Sequence, residues 1–132
     1  MKLVLDTNVY CDFAEGLPGT VDAIATRGES LFLPCTVLGE LYFGFLRGSR
    51  YELNDKKLRQ FIERLKVEVI EVNQDVARKY AIIYAGLVRK GRKIPINDVW
   101  IAASCMQVGG TLLTRDGHFE AVEQIESIIL KT

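Results

Sequence analysis

Short apolar runs recur along the chain at 2–5, 30–33, 67–72, 111–114 and 127–130. Most are continuous rather than alternating, the pattern of strands covered on both faces within a parallel sheet. Between them the apolar period lengthens to that of helices. Over 55–66, Leu58, Phe61, Ile62 and Leu65 form one stripe at i, i+3, i+4 and i+7, with lysines and arginines on the opposite face. Asn73 is placed to cap a longer helix carrying Val76, Tyr80, Ile83 and Leu87, which ends at Gly91 after a basic last turn. A further helix is expected from Asn97, after Pro95, through Trp100 and Ile101 to Val108, before Gly109 and Gly110. Thr36 is a candidate cap for the helix that follows the 30–33 strand, and the segment 47–54 reads as an exposed connection.

Strands alternating with helices predict right-handed crossovers and a central parallel sheet of about five strands with helices on both sides, an α/β fold. The 132 residues fit one domain, and there is no internal repeat or low-complexity stretch. No apolar run approaches the roughly 18 residues needed to cross a bilayer. The chain also starts without a basic region leading into a long apolar segment, so a cytoplasmic location is expected. Cys11, Cys35 and Cys105 match neither a zinc nor a redox spacing and are expected to be buried, reduced thiols.

Net charge is zero, but it is unevenly spread. Residues 1–46 carry two basic and six acidic side chains, 47–93 carry thirteen and six, and 94–132 carry two and five. The basic middle would suit a polyanion, or it is the solvated face of two charged helices.

In an open parallel sheet, functional groups gather beyond the carboxyl ends of the strands. Asp6 follows the first strand in LVLDTNVY, and Asp116 follows the fourth in LLTRDGHF, so both belong to one edge of the sheet. Asp98, in PINDVWIAA, is expected at the first helical position behind an Asn97 cap. Glu40 is the lone charge in VLGELYFGF, where a side chain on the second turn leans back toward the same edge. Each carboxylate taken alone fits a turn, a cap or an ion pair equally well. If all four converge, unit charges 4 Å apart repel by about 4 kcal/mol per pair at an effective dielectric near 20, a conflict that a divalent cation removes. An oxygen-only donor set favours Mg²⁺ or Mn²⁺ over zinc, and such a site supports phosphodiester hydrolysis.

The segments LDTNV, TVLGEL, INDVWIAA and LLTRDGHF, in this order and spacing, resemble the PIN domain, in the branch of VapC-type toxins of toxin–antitoxin pairs. The likeness spans nearly the whole chain and implies a metal-dependent ribonuclease with an α/β/α sandwich fold. It maps the Mg²⁺- or Mn²⁺-holding cluster onto Asp6, Glu40, Asp98 and Asp116, with Asp6 and Asp98 as direct ligands. Thr7, Asn8 and Thr114 fall on the supporting positions. It also implies an RNA substrate, a small antitoxin partner and a homodimer. Lys90, Arg92 and Lys93, expected on the loop before the Asn97 helix, are the basic residues best placed for substrate phosphates. Arg115 could hold a phosphate or pair with an acid. His118 beside Phe119 reads as structural or exposed. Tyr42, Phe43, Phe45 and Leu46 crowd several faces of one helix, fitting either an interface or a fully buried element.

Other readings are a non-catalytic PIN-like module that binds RNA or protein, and a phosphatase of another α/β fold. A haloacid-dehalogenase-like enzyme needs a second Asp where Asn8 stands. A receiver domain needs an Asp after the third strand and a Lys after the fifth, which Asn73 and Lys131 do not supply convincingly.

Overall fold

A computed structural model describes residues 1–131. Five parallel strands, β1 (Lys2–Leu5), β2 (Ser30–Pro34), β3 (Glu68–Ile70), β4 (Thr111–Thr114) and β5 (Glu126–Ile129), form one sheet in the order β3-β2-β1-β4-β5. Leu3, Val4 and Leu5 have no exposed surface, because β1 is the central strand and helices cover both of its faces. The chain leaves β1 toward β2 and β3 on one side and later returns to place β4 on the other, so the strand order reverses between β1 and β4. That reversal opens a crevice at the carboxyl ends of those two strands.

Six helices complete the sandwich: α1 (Thr7–Ala14), α2 (Pro18–Arg27), α3 (Cys35–Arg47), α4 (Tyr51–Arg64), α5 (Gln74–Lys90) and α6 (Ile96–Val108). The rings of Tyr80 and Trp100 stack at 4.1 Å between centroids and join α5 to α6. Phe61 of α4 takes the edges of Tyr10 and Phe13 at 5.1 and 5.0 Å, tying α4 to α1. The Asn73 side chain accepts the Val76 N–H at 3.0 Å, and Gly91 and Gly109 end α5 and α6 in the left-handed conformation, as their positions predict.

Several boundaries differ from the sequence expectation. α3 starts at Cys35 with Pro34 as its capping residue, so Thr36 is already helical and caps nothing. α6 likewise starts one residue after Pro95, which puts Asn97 inside the helix and Asp98 at its third position rather than its first. In both cases the fixed φ of proline presets the turn, and no capping side chain is used. The expected 47–54 connection shrinks to Gly48, Ser49 and Arg50, because the Tyr51 ring packs on Tyr42 and Phe45 and draws the chain straight into α4. The helices α1 and α2, of 8 and 10 residues, are too short to repeat an apolar stripe over many turns, although Pro18 at the start of α2 is a legible signal. Of the cysteines only Cys105 is buried; Cys35 is half-buried and Cys11 exposed, since Cys11 lies on the outer side of the short α1.

Candidate metal-binding active site

The β1–β4 crevice receives carboxylates from four different elements. Asp6, 4% exposed, follows β1 and caps α1: its Oδ1 accepts the Thr7 N–H at 2.8 Å, and its backbone N–H continues the ladder to Leu113 O at 3.1 Å. Its Oδ2 accepts the Thr114 hydroxyl at 2.6 Å and the Asn8 amide at 3.3 Å. Burial raises the Asp6 carboxyl above its ordinary range, the Thr114 and Thr7 hydrogen bonds oppose that rise, and the charges of Glu40 and Asp116 add to it.

Glu40, in the second turn of α3, is held from across the crevice by the Thr7 hydroxyl, which donates to Oε1 at 2.7 Å. Asp116 follows β4. Its N–H donates to the Thr114 hydroxyl oxygen at 2.9 Å, and its Oδ1 accepts the N–H of His118 at 2.9 Å, starting the short 3₁₀ turn Gly117–Ala121. Thr114 therefore connects Asp6 and Asp116 through one buried hydroxyl.

Asp98 enters from the first turn of α6. Its pKa is pushed up to about 6, first by burial and then by the charges of Asp6, Asp116 and Glu40, with a hydrogen bond to His118 acting the other way. Asp6 thus feels the charges of Glu40 and Asp116, and Asp98 feels the crowding of the other three acids. Nδ1 of His118 lies 3.0 Å from Asp116 Oδ1 and 3.6 Å from Asp98 Oδ2. One donor atom from each of Asp98, Asp116 and His118 falls within 4.8 Å of the others. This donor chemistry suits a divalent cation: two carboxylates and an imidazole converge, two more carboxylates stand behind them, and burial penalises their unneutralised charge.

The cationic candidates are placed differently. Lys90 is the last residue of α5 rather than part of the loop, and its ammonium donates to Ala121 O at 2.9 Å and pairs with Glu123 at 3.4 Å. Arg92 and Lys93 are exposed beyond Gly91, bordering a hollow with Tyr84, Val88 and Val99. The Arg115 guanidinium grips Asp12 through two hydrogen bonds, at 2.5 and 3.3 Å, so of its two sequence readings the acid pair is the one formed.

Sequence reasoning passed over Asp12, which is 6% exposed and pairs with Arg115. His118, read as structural or exposed, is exposed, and its Nδ1 also faces two of the acids. A cleft beside Glu40 is lined by Thr7, Gly39, Phe43, Arg47 and Asn97, with the Arg47 guanidinium 5.6 Å from the Phe43 ring centroid. On α3, Phe43 and Leu46 are 61% and 70% exposed while Tyr42 and Phe45 are half-buried, so the aromatic crowding divides into an inner and an outer face.

Comparison with known proteins gives a consistent result. The PIN domain profile matches residues 3–125. Ribonuclease VapC4 of Mycobacterium tuberculosis is 30% identical over 130 residues, which cover 98% of this chain and 97% of the relative. Ribonuclease VapC5 of the same organism is 28% identical over 125 residues, covering 95% and 90%. The crystal structure of VapBC-5 from M. tuberculosis, a toxin–antitoxin family member, superimposes with a TM-score of 0.73 at 26% identity, covering 98% of both chains. The DNA-bound VapBC of Salmonella typhimurium superimposes with a TM-score of 0.85 at 24% identity, again over 98% of both chains, a likeness of fold.

Proposed function

The chain belongs to the PIN domain family, and from that membership and its converging carboxylates we propose that it is a metal-dependent endoribonuclease, the toxin of a toxin–antitoxin pair. The observation that carries this reading is the convergence of acidic groups in the crevice, where donor atoms of Asp98, Asp116 and His118 fall within 4.8 Å of one another beside the buried Asp6 carboxylate. A fold accumulates such uncompensated charge where a cation is to be held.

In this reading Asp6, Glu40, Asp98 and Asp116 hold one or more divalent ions, Mg²⁺ or Mn²⁺ on the strength of their oxygen donors. A bound ion would supply an activated water and stabilise the charge that develops on a phosphoryl oxygen. The protein's own groups do the positioning. Thr7 fixes Glu40, Thr7 and Asn8 fix Asp6, and Thr114 fixes both Asp6 and Asp116, each through a hydrogen bond of 3.3 Å or less. RNA phosphates are held by Arg92 and Lys93, with Lys90 and Arg115 contributing less because their charges already have protein partners.

The relatives whose structures carry an antitoxin support a small antitoxin as partner here. The exposed apolar side chains Phe43 and Leu46 on α3, and Tyr84 and Val88 on α5, support a homodimer or an antitoxin contact. No helix among the described residues is long and apolar enough to cross a membrane. The whole chain acts as one PIN-like domain.

The test is RNA cleavage in Mg²⁺ or Mn²⁺ by wild type, Asp6→Asn and Asp98→Asn. Cleavage by wild type, lost in both variants and in excess chelator, is the expected result. Full cleavage by both variants, or activity that survives chelation, refutes the proposal. Binding of RNA without cleavage in any divalent ion supports the non-catalytic module instead.

A further inference from the structure

The geometry points to His118 as a nitrogen ligand of the divalent ion, joining Asp98 and Asp116 and moving the site's preference from Mg²⁺ toward Mn²⁺. This inference rests on the functional reading above and adds a donor that an all-carboxylate site lacks.

Three observations support it. First, the distances fit shared coordination. Two neighbouring ligands of an octahedral ion with bonds of about 2.1 Å stand about 3 Å apart, so a nitrogen and two carboxylate oxygens at that scale can be corners of one polyhedron. His118 Nδ1 is 3.0 Å from Asp116 Oδ1 and 3.6 Å from Asp98 Oδ2, and all three donors fall within 4.8 Å of one another.

Second, the ring is aimed by the backbone. The His118 N–H donates to Asp116 Oδ1 at 2.9 Å, so carboxylate and imidazole are oriented by one 3₁₀ turn. Phe119, the next residue, has no exposed surface and anchors that turn in the core. The His118 side chain itself is 53% exposed. Its Nδ1 faces the acids, and the side chain as a whole is half open to solvent, so an ion can reach the group.

Third, the donor type has a chemical consequence. Mg²⁺ is satisfied by carboxylate, carbonyl and water oxygens, whereas an imidazole nitrogen is a better donor to Mn²⁺ than to Mg²⁺, and better still to the later first-row metals. An imidazole nitrogen at the mouth of a carboxylate site therefore discriminates among ions that the carboxylates alone would treat alike. Protein-bound Mn²⁺ also provides a direct reporter of nitrogen ligation.

The experiment compares wild type and His118→Gln by Mn²⁺ and Mg²⁺ titration calorimetry, with pulsed paramagnetic resonance of the Mn²⁺ complexes to detect coupling to ¹⁴N. Nitrogen coupling is expected in wild type and absent in His118→Gln, and removal of a positioned donor is expected to weaken Mn²⁺ about tenfold or more while Mg²⁺ changes by less than about threefold. The wild-type resonance signature does not depend on the variant's folding, and a melting curve verifies that His118→Gln is folded. Tight Mn²⁺ binding without nitrogen coupling, or equal Mn²⁺ affinity in the two proteins, overturns the role of His118 and leaves the nuclease reading standing. Failure of wild type to bind either ion overturns both.

Discussion

The hydroxyl of Thr114 donates to Asp6 Oδ2 at 2.6 Å while it accepts the backbone N–H of Asp116 at 2.9 Å. Thr114 is fully buried, and the carboxyl group it supports comes from the other end of the chain. One hydroxyl thus aligns two acids from adjacent strands, and its single proton is committed to Asp6. Thr114→Val keeps the shape and removes the bond. Leaving a buried carboxylate oxygen and an N–H under-satisfied is expected to destabilise the protein by about 1–3 kcal/mol. Metal affinity should fall by about 10–100-fold. Thr114→Ser should retain most of both. Urea unfolding and calorimetric titration check these, and a Thr114→Val protein that binds metal as wild type does would remove Thr114 from the supporting set.

Asp98 makes the metal-free protein sensitive to pH. Its carboxyl has a pKa of about 6 when folded against an ordinary value of 3.8, so the folded state holds a proton that the unfolded state releases. Metal-free stability therefore falls as pH rises through that interval, the opposite of the usual behaviour of a salt-bridged Asp. Asp98→Asn abolishes this contribution. Relative to the variant, chelated wild type should lose about 1–3 kcal/mol between pH 4 and pH 7.5. Melting curves of both proteins in chelator at the two pH values test this, and parallel pH profiles would contradict it.

Arg115 and Asp12 connect the β4 exit to α1, where Asp12 is 6% exposed. The Arg115 backbone N–H also donates to Asn8 Oδ1 at 3.1 Å, so the same residue braces the first turn of α1, which Asp6 caps. Arg115→Met should destabilise by about 1–3 kcal/mol, less than for a fully buried pair because the arginine is partly exposed. Asp12→Asn introduced together with it should recover part of that loss. Lowered RNA affinity at an unchanged melting temperature would instead identify Arg115 as a phosphate contact.

Arg92 and Lys93 are exposed, and neither forms a salt bridge among the described residues. Replacing both with Gln should weaken RNA binding and flatten the dependence of log K on log salt by about 0.7 for each phosphate no longer neutralised. Lys90→Ala, which frees Ala121 O and Glu123, should affect melting more than the salt slope. An unchanged slope in the double variant would move the RNA path elsewhere, with the Arg47 and Phe43 side of the cleft as the next surface to probe.

Much of this molecule is legible in the order of its residues. The continuous apolar runs imply a buried parallel sheet, because only strands covered on both faces can dispense with polar alternation. A carboxylate within two residues of the end of each of two such runs implies a shared edge, which β1 and β4 form as neighbours. Local chemistry also marks the ends of α5, through Asn73 and Gly91. Other features depend on contacts between residues distant in sequence, and no local pattern encodes them. The start of α4 at Tyr51 is decided by aromatic packing on α3, and the prolines before α3 and α6 displace the capping roles expected of Thr36 and Asn97. The Arg115–Asp12 pair joins residues 103 positions apart. The convergence of Asp98 with Asp116 and His118, and the raised pKa that follows, exists because the fold places the start of α6 against the end of β4. Sequence alone determined which acids stand at the strand ends; tertiary structure decided which of them share a charge, because repulsion and coordination depend on distances of a few ångströms that only the packed chain establishes.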